Sequence, residues 1–238
     1  MDEYTRDHLL EINRDFYRIF APDFSSTRQR LQPGVNNLII RIASYHSILD
    51  LGCGNGELYR ALFRKGYRGI YAGIDFSSGL LNAAPGEHNG AQFFKLDLSN
   101  PEWNIPLQQY RYQLVTAFSV LHHLPGEALR VNVLLQAARL LEPNGMMMLS
   151  VWQFLNSEKL RTRILDWDVV GISTAQVDPD DYLLDWRKGG TGLRYVHHFT
   201  QSELVELAEI TGFRVLETFL SDGENRQLGL YQIWKLDV

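Results

Sequence analysis

The chain of 238 residues has little of what marks several large classes of protein. A single cysteine cannot build the disulfide framework of a small secreted domain. Apolar runs such as residues 145–152 are far shorter than the roughly 20 residues that cross a bilayer. The formal net charge of −5 lacks the basic excess typical of proteins that bind nucleic acid by phosphate attraction alone. We therefore expect a cytoplasmic globular protein without a membrane or DNA partner.

What the chain does have is a regular alternation of predicted helices and strands. Apolar residues at helical spacing predict an N-terminal helical cap over residues 1–45, with a break at Pro22. Short apolar runs then predict strands at residues 47–51, 69–74, 91–96, 113–118 and 146–151. Helical stretches separate these strands, which indicates βαβ units and a buried parallel sheet. We expect one α/β domain over residues 1–238.

The alternation stops after the fifth predicted strand. Residues 153–193 combine acidic and aromatic side chains, and we interpret them as an insertion or lid. A helix is predicted over residues 200–211, followed by strands at residues 213–220 and 228–235. A short polar turn joins these last two strands, so they should pair antiparallel.

The most informative segment is the loop after the first predicted strand, where Asp50 precedes Gly52, Gly54 and Gly56. Glycine permits a tight turn and brings a ligand close to the N-terminus of the next helix. A dinucleotide fingerprint would need a small residue at Glu57, so the pattern disfavours a nicotinamide or flavin enzyme. Taken alone, the loop could also be an ordinary strand-to-helix turn.

Two further acidic residues follow the next two predicted strands. Asp75 ends the second strand, and Asp97 follows the third. Because parallel strands end at one edge of a sheet, these carboxylates should meet Asp50 there, where they can accept hydrogen bonds from ribose hydroxyls and an adenine amino group. A single acid at such a place is usually a turn or cap residue. Three in register are not well explained in that way.

With this pattern the sequence resembles the class I S-adenosylmethionine (SAM)-dependent methyltransferases. The likeness continues through residues 117–124 and Pro143-Asn144-Gly145. It implies a Rossmann-like, doubly wound sheet of seven strands with the last one antiparallel, SAM as cofactor and S-adenosylhomocysteine as product. The cofactor-binding residues that it implies are Asp50, Gly52, Cys53, Gly54, Gly56, Asp75, Phe76, Asp97, Leu98 and Phe118.

The flanks are similar to the tRNA wobble-uridine methyltransferases that esterify a carboxymethyl group. Residues 20–28, 120–124 and 194–199 carry this narrower resemblance, although Val196 replaces an expected aromatic residue. It implies tRNA as substrate and a small zinc-binding activator subunit as partner. The candidate catalytic residues are Arg28, His122, Arg194, Tyr195 and His197.

These candidates suit two kinds of acceptor. A carboxylate needs no base, and Arg28, Arg194, Tyr195 and His197 could orient it by charge-assisted hydrogen bonds. An amine or hydroxyl would lose a proton, to His122 or His197.

Other interpretations stay open at the level of sequence. The chain could be a small-molecule methyltransferase acting on a metabolite carboxylate, amine or hydroxyl, or a SAM-binding partner subunit without activity. A basic strip, defined as Arg60, Arg64, Lys65 and Arg68, is either a solvated face or an RNA contact. Because no histidine pair has the spacing of metal ligands, we predict no metal site.

Overall fold

The chain forms two β-sheets with helices packed around them in a computed structural model, which describes residues 1–27, 30–86 and 90–237. The helices within these ranges are α1 (Glu3–Thr27), α2 (Pro33–Ala43), α3 (Glu57–Arg64), α4 (Ser78–Leu81), α5 (Glu127–Leu140), α6 (Glu158–Arg161) and α7 (Gln201–Ile210). The strands are β1 (Ser47–Leu51), β2 (Ile70–Asp75), β3 (Ala91–Lys95), β4 (Tyr112–Phe118), β5 (Leu141–Trp152), β6 (Ile164–Leu165), β7 (Asp181–Trp186), β8 (Gly192–His197), β9 (Phe213–Ser221) and β10 (Gly229–Leu236).

The main sheet has seven strands in the order β3-β2-β1-β4-β5-β10-β9. The first five are mutually parallel, and β10 runs antiparallel between β5 and β9. The prediction of a doubly wound sheet with an antiparallel last strand is confirmed. Because β1 lies in the middle and the order reverses beside it, the loop after β1 opens at the switch point where such sheets bind ligands.

The main sheet is buried on both faces, which explains the continuous apolar runs of its central strands. On one face, α2 and α3 contribute Ile39, Ile42 and Leu62 to one hydrophobic cluster. On the other face, α5 and α7 contribute Leu134 and Leu204 to a second cluster. Packing on both faces therefore fixes the register of each central strand, and with it the positions of the strand-end residues relative to one another.

Two sequence predictions about local structure were wrong. The first helix does not break at Pro22 but continues to Thr27. Pro22 faces solvent, where water can bond the carbonyl group that its missing N–H leaves unpaired. Likewise, the fifth strand, predicted over residues 146–151, begins already at Leu141, and within it Asn144 has a φ of 63° and the pairing with β4 shifts register. A strand can absorb such an irregularity as a bulge.

The second sheet consists of β6, β7 and β8, all antiparallel, and occupies most of the predicted insertion. It packs on α1 through a cluster that includes Leu9, Trp167, Leu183 and Tyr195. α1 and the small sheet therefore form a layer with its own apolar contacts, placed over one edge of the main sheet. In the part of the chain that the structure describes, no helix is both long and apolar enough to span a membrane.

Candidate functional site

A cavity of about 220 Å³ lies at the edge of the main sheet where the parallel strands end. Its floor is the loop after β1 and the ends of β2, β3 and β4, and its roof is α1, through Leu10, Asn13, Arg14 and Tyr17. Nine of the ten predicted cofactor-binding residues line it, namely Asp50, Gly52, Cys53, Gly54, Asp75, Phe76, Asp97, Leu98 and Phe118. The remaining one, Gly56, does not line the cavity, and its Cβ position faces Pro85 and Phe93 instead.

All three glycines of the loop have positive φ, but the surroundings that a side chain would meet differ from one to the next. At Gly52, a Cβ atom would lie 2.5 Å from Cγ2 of Val120. At Gly56, where α3 begins, it would lie 2.7 Å from Pro85. At Gly54, apart from its chain neighbours, no atom of the described residues lies within 4 Å of that position, and Gly54 lines the cavity. Gly54 is thus the place where a ligand can approach the backbone closely.

Asp50 and Asp75 are buried carboxyl groups. Asp50 accepts hydrogen bonds from Thr116 Oγ1, at 2.6 Å, and from the hydroxyl of Tyr71. Asp75 accepts from the backbone N–H groups of Gly54, at 2.9 Å, and Ser77, at 2.8 Å. Burial raises the pKa of each carboxyl group to about 6, against the opposing effect of these hydrogen bonds. Both groups therefore change charge in a range slightly below neutral pH.

Asp97 lies in a more open environment and links the sheet to the roof. Its Oδ2 accepts from Arg14 Nη2 at 3.0 Å and Nε at 3.2 Å. Its Oδ1 accepts from the backbone N–H and hydroxyl of Ser99, at 2.9 and 2.7 Å. Arg14 therefore fastens α1 over the adenine side of the predicted cofactor site.

The cavity fits the cofactor that the sequence resemblance implies. Its polar groups are concentrated at the strand ends, where carboxylate oxygens can accept from hydroxyl and amino groups. Between them the wall is apolar, through Phe76, Leu80, Leu96 and Leu98, and suits the faces of an adenine ring. The vacant side of Gly54 leaves room for the ligand chain against the backbone.

One of the predicted catalytic residues, Arg28, lies outside the described residues, and the other four do not line this cavity. His122 is buried in the 3₁₀ turn Leu121–His123 after β4, and its Nδ1 accepts from the backbone N–H of Trp152 at 3.3 Å. Arg194 is buried with its guanidinium carbon 4.9 to 5.2 Å from the ring centroids of Phe16, Trp152 and Trp186.

Tyr195 and His197 meet at Asp181, on the face of the small sheet away from Arg194. The Tyr195 hydroxyl donates to Asp181 Oδ1 at 2.6 Å, and His197 Nδ1 lies 2.8 Å from the same oxygen. His197 Nε2 lies 2.8 Å from Glu203 Oε1. Burial lowers the pKa of His197, but the two carboxylates outweigh it and the pKa is raised. This arrangement joins β7, β8 and α7, which is a positioning role; the catalytic roles remain predictions.

Among the residues of the cavity wall that sequence reasoning missed are Tyr17 and His123. Of the adjacent histidines, the sequence analysis names His122, whereas the turn directs His123 to the cavity. Neighbouring residues in a turn point in different directions, and nothing in their identity reveals which one faces the ligand. Tyr17 belongs to the amphipathic pattern of α1 and was therefore indistinguishable from a core residue.

Three of the four residues of the basic strip are engaged locally. Arg60 donates to the carbonyl of Asn55 at 2.6 Å, and Arg64 pairs with Glu57 at 2.7 Å. The guanidinium of Arg68 lies 4.0 Å from the ring centroid of Phe63. These contacts favour the interpretation as a solvated helix face.

The sheet order, the glycine loop and the strand-end carboxylates together define the fold of the class I SAM-dependent methyltransferases. A solved SAM-dependent methyltransferase from Methanosarcina mazei has this fold, with a TM-score of 0.63, 24% identity and coverage of 87% of this chain and 98% of that one. A family model described as a methyltransferase domain matches residues 24–218. The chain belongs to this methyltransferase domain family.

Curated relatives agree with this family. A protein of Encephalitozoon cuniculi (strain GB-M1), whose methyltransferase name is provisional, is 28% identical over 203 residues, covering 85% of this chain and 87% of that protein. The tRNA (carboxymethyluridine(34)-5-O)-methyltransferase of Arabidopsis thaliana is 30% identical over 136 residues, or 57% of this chain. This chain spans only 31% of the Arabidopsis protein.

Proposed function

We propose that the protein is an enzyme that transfers a methyl group from SAM to an oxygen atom of its acceptor. The observation that supports the cofactor most strongly is the convergence of Asp50, Asp75 and Asp97 with the open side of Gly54 in one cavity. In this proposal Asp75 accepts from the ribose hydroxyls, Asp97 from the adenine amino group, and Asp50 supports the methionine end.

The chemistry required of the protein is modest. SAM supplies a methyl group on a sulfonium, which is an excellent leaving group, so the rate depends mainly on positioning. The residues around the cavity hold the donor, exclude water and orient the acceptor oxygen. A carboxylate acceptor is already a nucleophile, whereas a hydroxyl acceptor also needs a base.

The cofactor proposal can be tested by filling the open side of Gly54. In Gly54→Asn, the side chain would occupy the ligand space, and asparagine tolerates a φ of 56° better than most residues. We expect S-adenosylhomocysteine to bind more than tenfold more weakly in calorimetry, about 1.4 kcal/mol or more. Gly171→Asn is the matched control, because Gly171 has a φ of 69° and, among the residues that the structure describes, only its chain neighbours lie within 4 Å of its Cβ position. Equal affinity in the two variants would refute the proposed placement of SAM.

For the acceptor, the first candidate is a carboxymethylated wobble uridine of tRNA. The Arabidopsis relative named for that reaction supports it, together with the flanking resemblance. Arg194 of β8, which lies among aromatic rings contributed by α1, β5 and β7, would bind the carboxylate. A small activator subunit would be a partner in this case.

The second candidate is a small-molecule acceptor with a hydroxyl group. Two features favour it: the roof that α1 places over the cavity, and the local engagement of the basic strip. Neither feature is suited to an extended RNA backbone, which is held mainly through free cationic side chains.

The two candidates are distinguished by methyl transfer from radiolabelled SAM to total tRNA and to a deproteinised metabolite extract. Label in RNA that digests to a modified uridine supports the first candidate. Label confined to small molecules supports the second candidate and refutes the tRNA assignment.

A further inference from the structure

Two side chains that no sequence argument selected form a hydrogen-bonded pair on the cavity wall. Tyr17 comes from the roof helix α1, and His123 comes from the turn after β4. The hydroxyl oxygen of Tyr17 lies 3.1 Å from Nε2 of His123. Tyr17 is buried and His123 is half-buried. The pair therefore spans the boundary between the protein interior and the ligand space.

The surroundings of His123 determine which ring nitrogen carries its proton. Nδ1 lies 3.2 Å from the carbonyl oxygen of Tyr195. A carbonyl oxygen can only accept, so Nδ1 must be the protonated nitrogen. In the neutral ring, Nε2 then carries the lone pair that accepts the hydrogen bond donated by Tyr17. His123 is thus a residue of the cavity wall whose accepting nitrogen faces the hydroxyl of Tyr17.

The neighbouring His122 is held in the opposite tautomer. Its Nδ1 accepts from the backbone N–H of Trp152, so in the neutral ring the proton is on Nε2. A second proton, on Nδ1 of His122, would point at the N–H group of Trp152 and break the hydrogen bond between them. His123 is therefore the member of the pair whose hydrogen bonds are compatible with gaining a proton.

A buried amide fixes the position of His123. Asn13 Nδ2 donates to the carbonyl oxygens of His123, at 3.1 Å, and Tyr195, at 3.2 Å. Asn13 Oδ1 accepts from the backbone N–H of Tyr195 at 2.9 Å. Through this one side chain, α1, β8 and the turn after β4 are held together. The result is a base with an orienting group on one side and a hydroxyl on the other, the arrangement that proton transfer requires.

We propose that Tyr17 and His123 form a proton relay that activates an acceptor hydroxyl. This proposal rests on the proposed oxygen methylation. The O–H bond of the acceptor breaks, and its electron pair forms the new bond to the methyl carbon. The carbon–sulfur bond breaks with its electron pair staying on sulfur, as a neutral thioether. The acceptor proton passes to the oxygen of Tyr17, whose own proton moves to Nε2 of His123. The imidazolium formed donates from both nitrogens, to Tyr17 and to the carbonyl of Tyr195.

The relay acts among several other titratable or charged groups. The ring of His122 lies 4.3 Å from that of His123, measured between centroids. Besides Tyr17, the titratable or charged groups that share the cavity with His123 are Arg14 on α1, Arg30 before α2, Asp50, Cys53, Glu57, Asp75 and Asp97. A rate that depends on pH must therefore be compared between variants that differ only at the relay.

The test uses two substitutions, of which His123→Gln removes the proton acceptor and Tyr17→Phe removes the hydroxyl of the relay. In His123→Gln, the amide can still donate to Tyr195 and accept from Tyr17, but it takes no proton. We expect methyl transfer to the labelled fraction of the preceding assay to fall about 10²- to 10⁴-fold, with S-adenosylhomocysteine affinity within about twofold. Tyr17→Phe should lose at least about tenfold.

Matched controls exist on the same elements or far from the site. Tyr4→Phe changes an exposed tyrosine of the same helix, and His46→Gln changes an exposed histidine at the opposite edge of the sheet. Both should transfer at the wild-type rate. With SAM kept saturating at every pH, the rising limb of the pH–rate profile should be present in both controls and absent in His123→Gln.

A spectroscopic measurement tests the relay without turnover. In ¹⁵N-histidine NMR at neutral pH, we expect His123 to be protonated at Nδ1, and its Nε2 resonance to shift in Tyr17→Phe. A ring protonated at Nε2 would overturn the relay. So would wild-type transfer by His123→Gln, which would indicate a carboxylate acceptor and leave the methyltransferase function intact. Failure of the wild-type protein to bind S-adenosylhomocysteine would instead refute the proposed function.

Discussion

The affinity for the cofactor should decrease on acidification because two buried carboxyl groups at the site have a pKa of about 6. Asp75 already accepts two backbone hydrogen bonds, and only its charged form can accept strongly from ribose hydroxyls in addition. At pH 5 about one tenth of this group is ionised, so its protonation alone should weaken binding about tenfold, or 1.4 kcal/mol. Protonation of Asp50 adds to this loss.

Calorimetric titration with S-adenosylhomocysteine from pH 7.5 to 5.0 measures the effect. In Asp75→Asn the affinity at pH 7.5 should already be low, and its decrease toward pH 5 should be smaller by about tenfold. Asp166→Asn, an exposed acid in the segment between β6 and β7, should behave as the wild type.

Unfolding does not account for the expected loss. The pKa of each carboxyl group is higher in the folded chain than in the unfolded one, so the folded state binds these protons more tightly between pH 4 and 6. Protonation of these two groups therefore favours folding as the pH falls. An affinity that stays constant from pH 7.5 to 5.0 would refute the assignment of Asp75 to the ribose.

Three further outcomes are expected. Gly52→Ala places a methyl group 2.5 Å from Val120 at a φ of 65°, and should lower both the melting temperature and S-adenosylhomocysteine affinity; unchanged thermal unfolding would contradict this. Tyr195→Phe removes a buried hydrogen bond to Asp181 and should cost about 1 kcal/mol in urea unfolding, without changing cofactor affinity in calorimetry. Arg194→Met should spare cofactor binding and abolish transfer to the acceptor; full activity would remove Arg194 from the site.

The donor side of the protein could be predicted largely from the sequence. Strand ends are visible as the points where apolar runs stop, and parallel strands stop at one edge, so the placement of Asp50, Asp75 and Asp97 follows from topology. The three glycines mark the loop between β1 and α3, because few other residues adopt positive φ. The seven-stranded sheet was implied by the family resemblance, and the alternation of helices and strands agrees with it.

The acceptor side could not be predicted in the same way. Its residues come from α1, from one turn and from β8, and their contacts depend on how the small sheet packs on the roof. Neither the direction of His123 nor the pairing of Tyr195 and His197 with Asp181 has a local signature. Pro22 was misjudged because a proline is tolerated in a helix when its exposed side is hydrated and its buried side is held by packing.

The separate apolar contacts of α1 and the small sheet affect which amino-acid substitutions the protein can tolerate during evolution. The cluster of Leu9, Trp167, Leu183 and Tyr195 is distinct from the two clusters that cover the faces of the main sheet. Substitutions in this outer layer can accumulate with little effect on the scaffold that positions the donor. The same scaffold can therefore acquire a different acceptor over evolutionary time by exchanging its outer layer, while the glycine loop and the strand ends are retained.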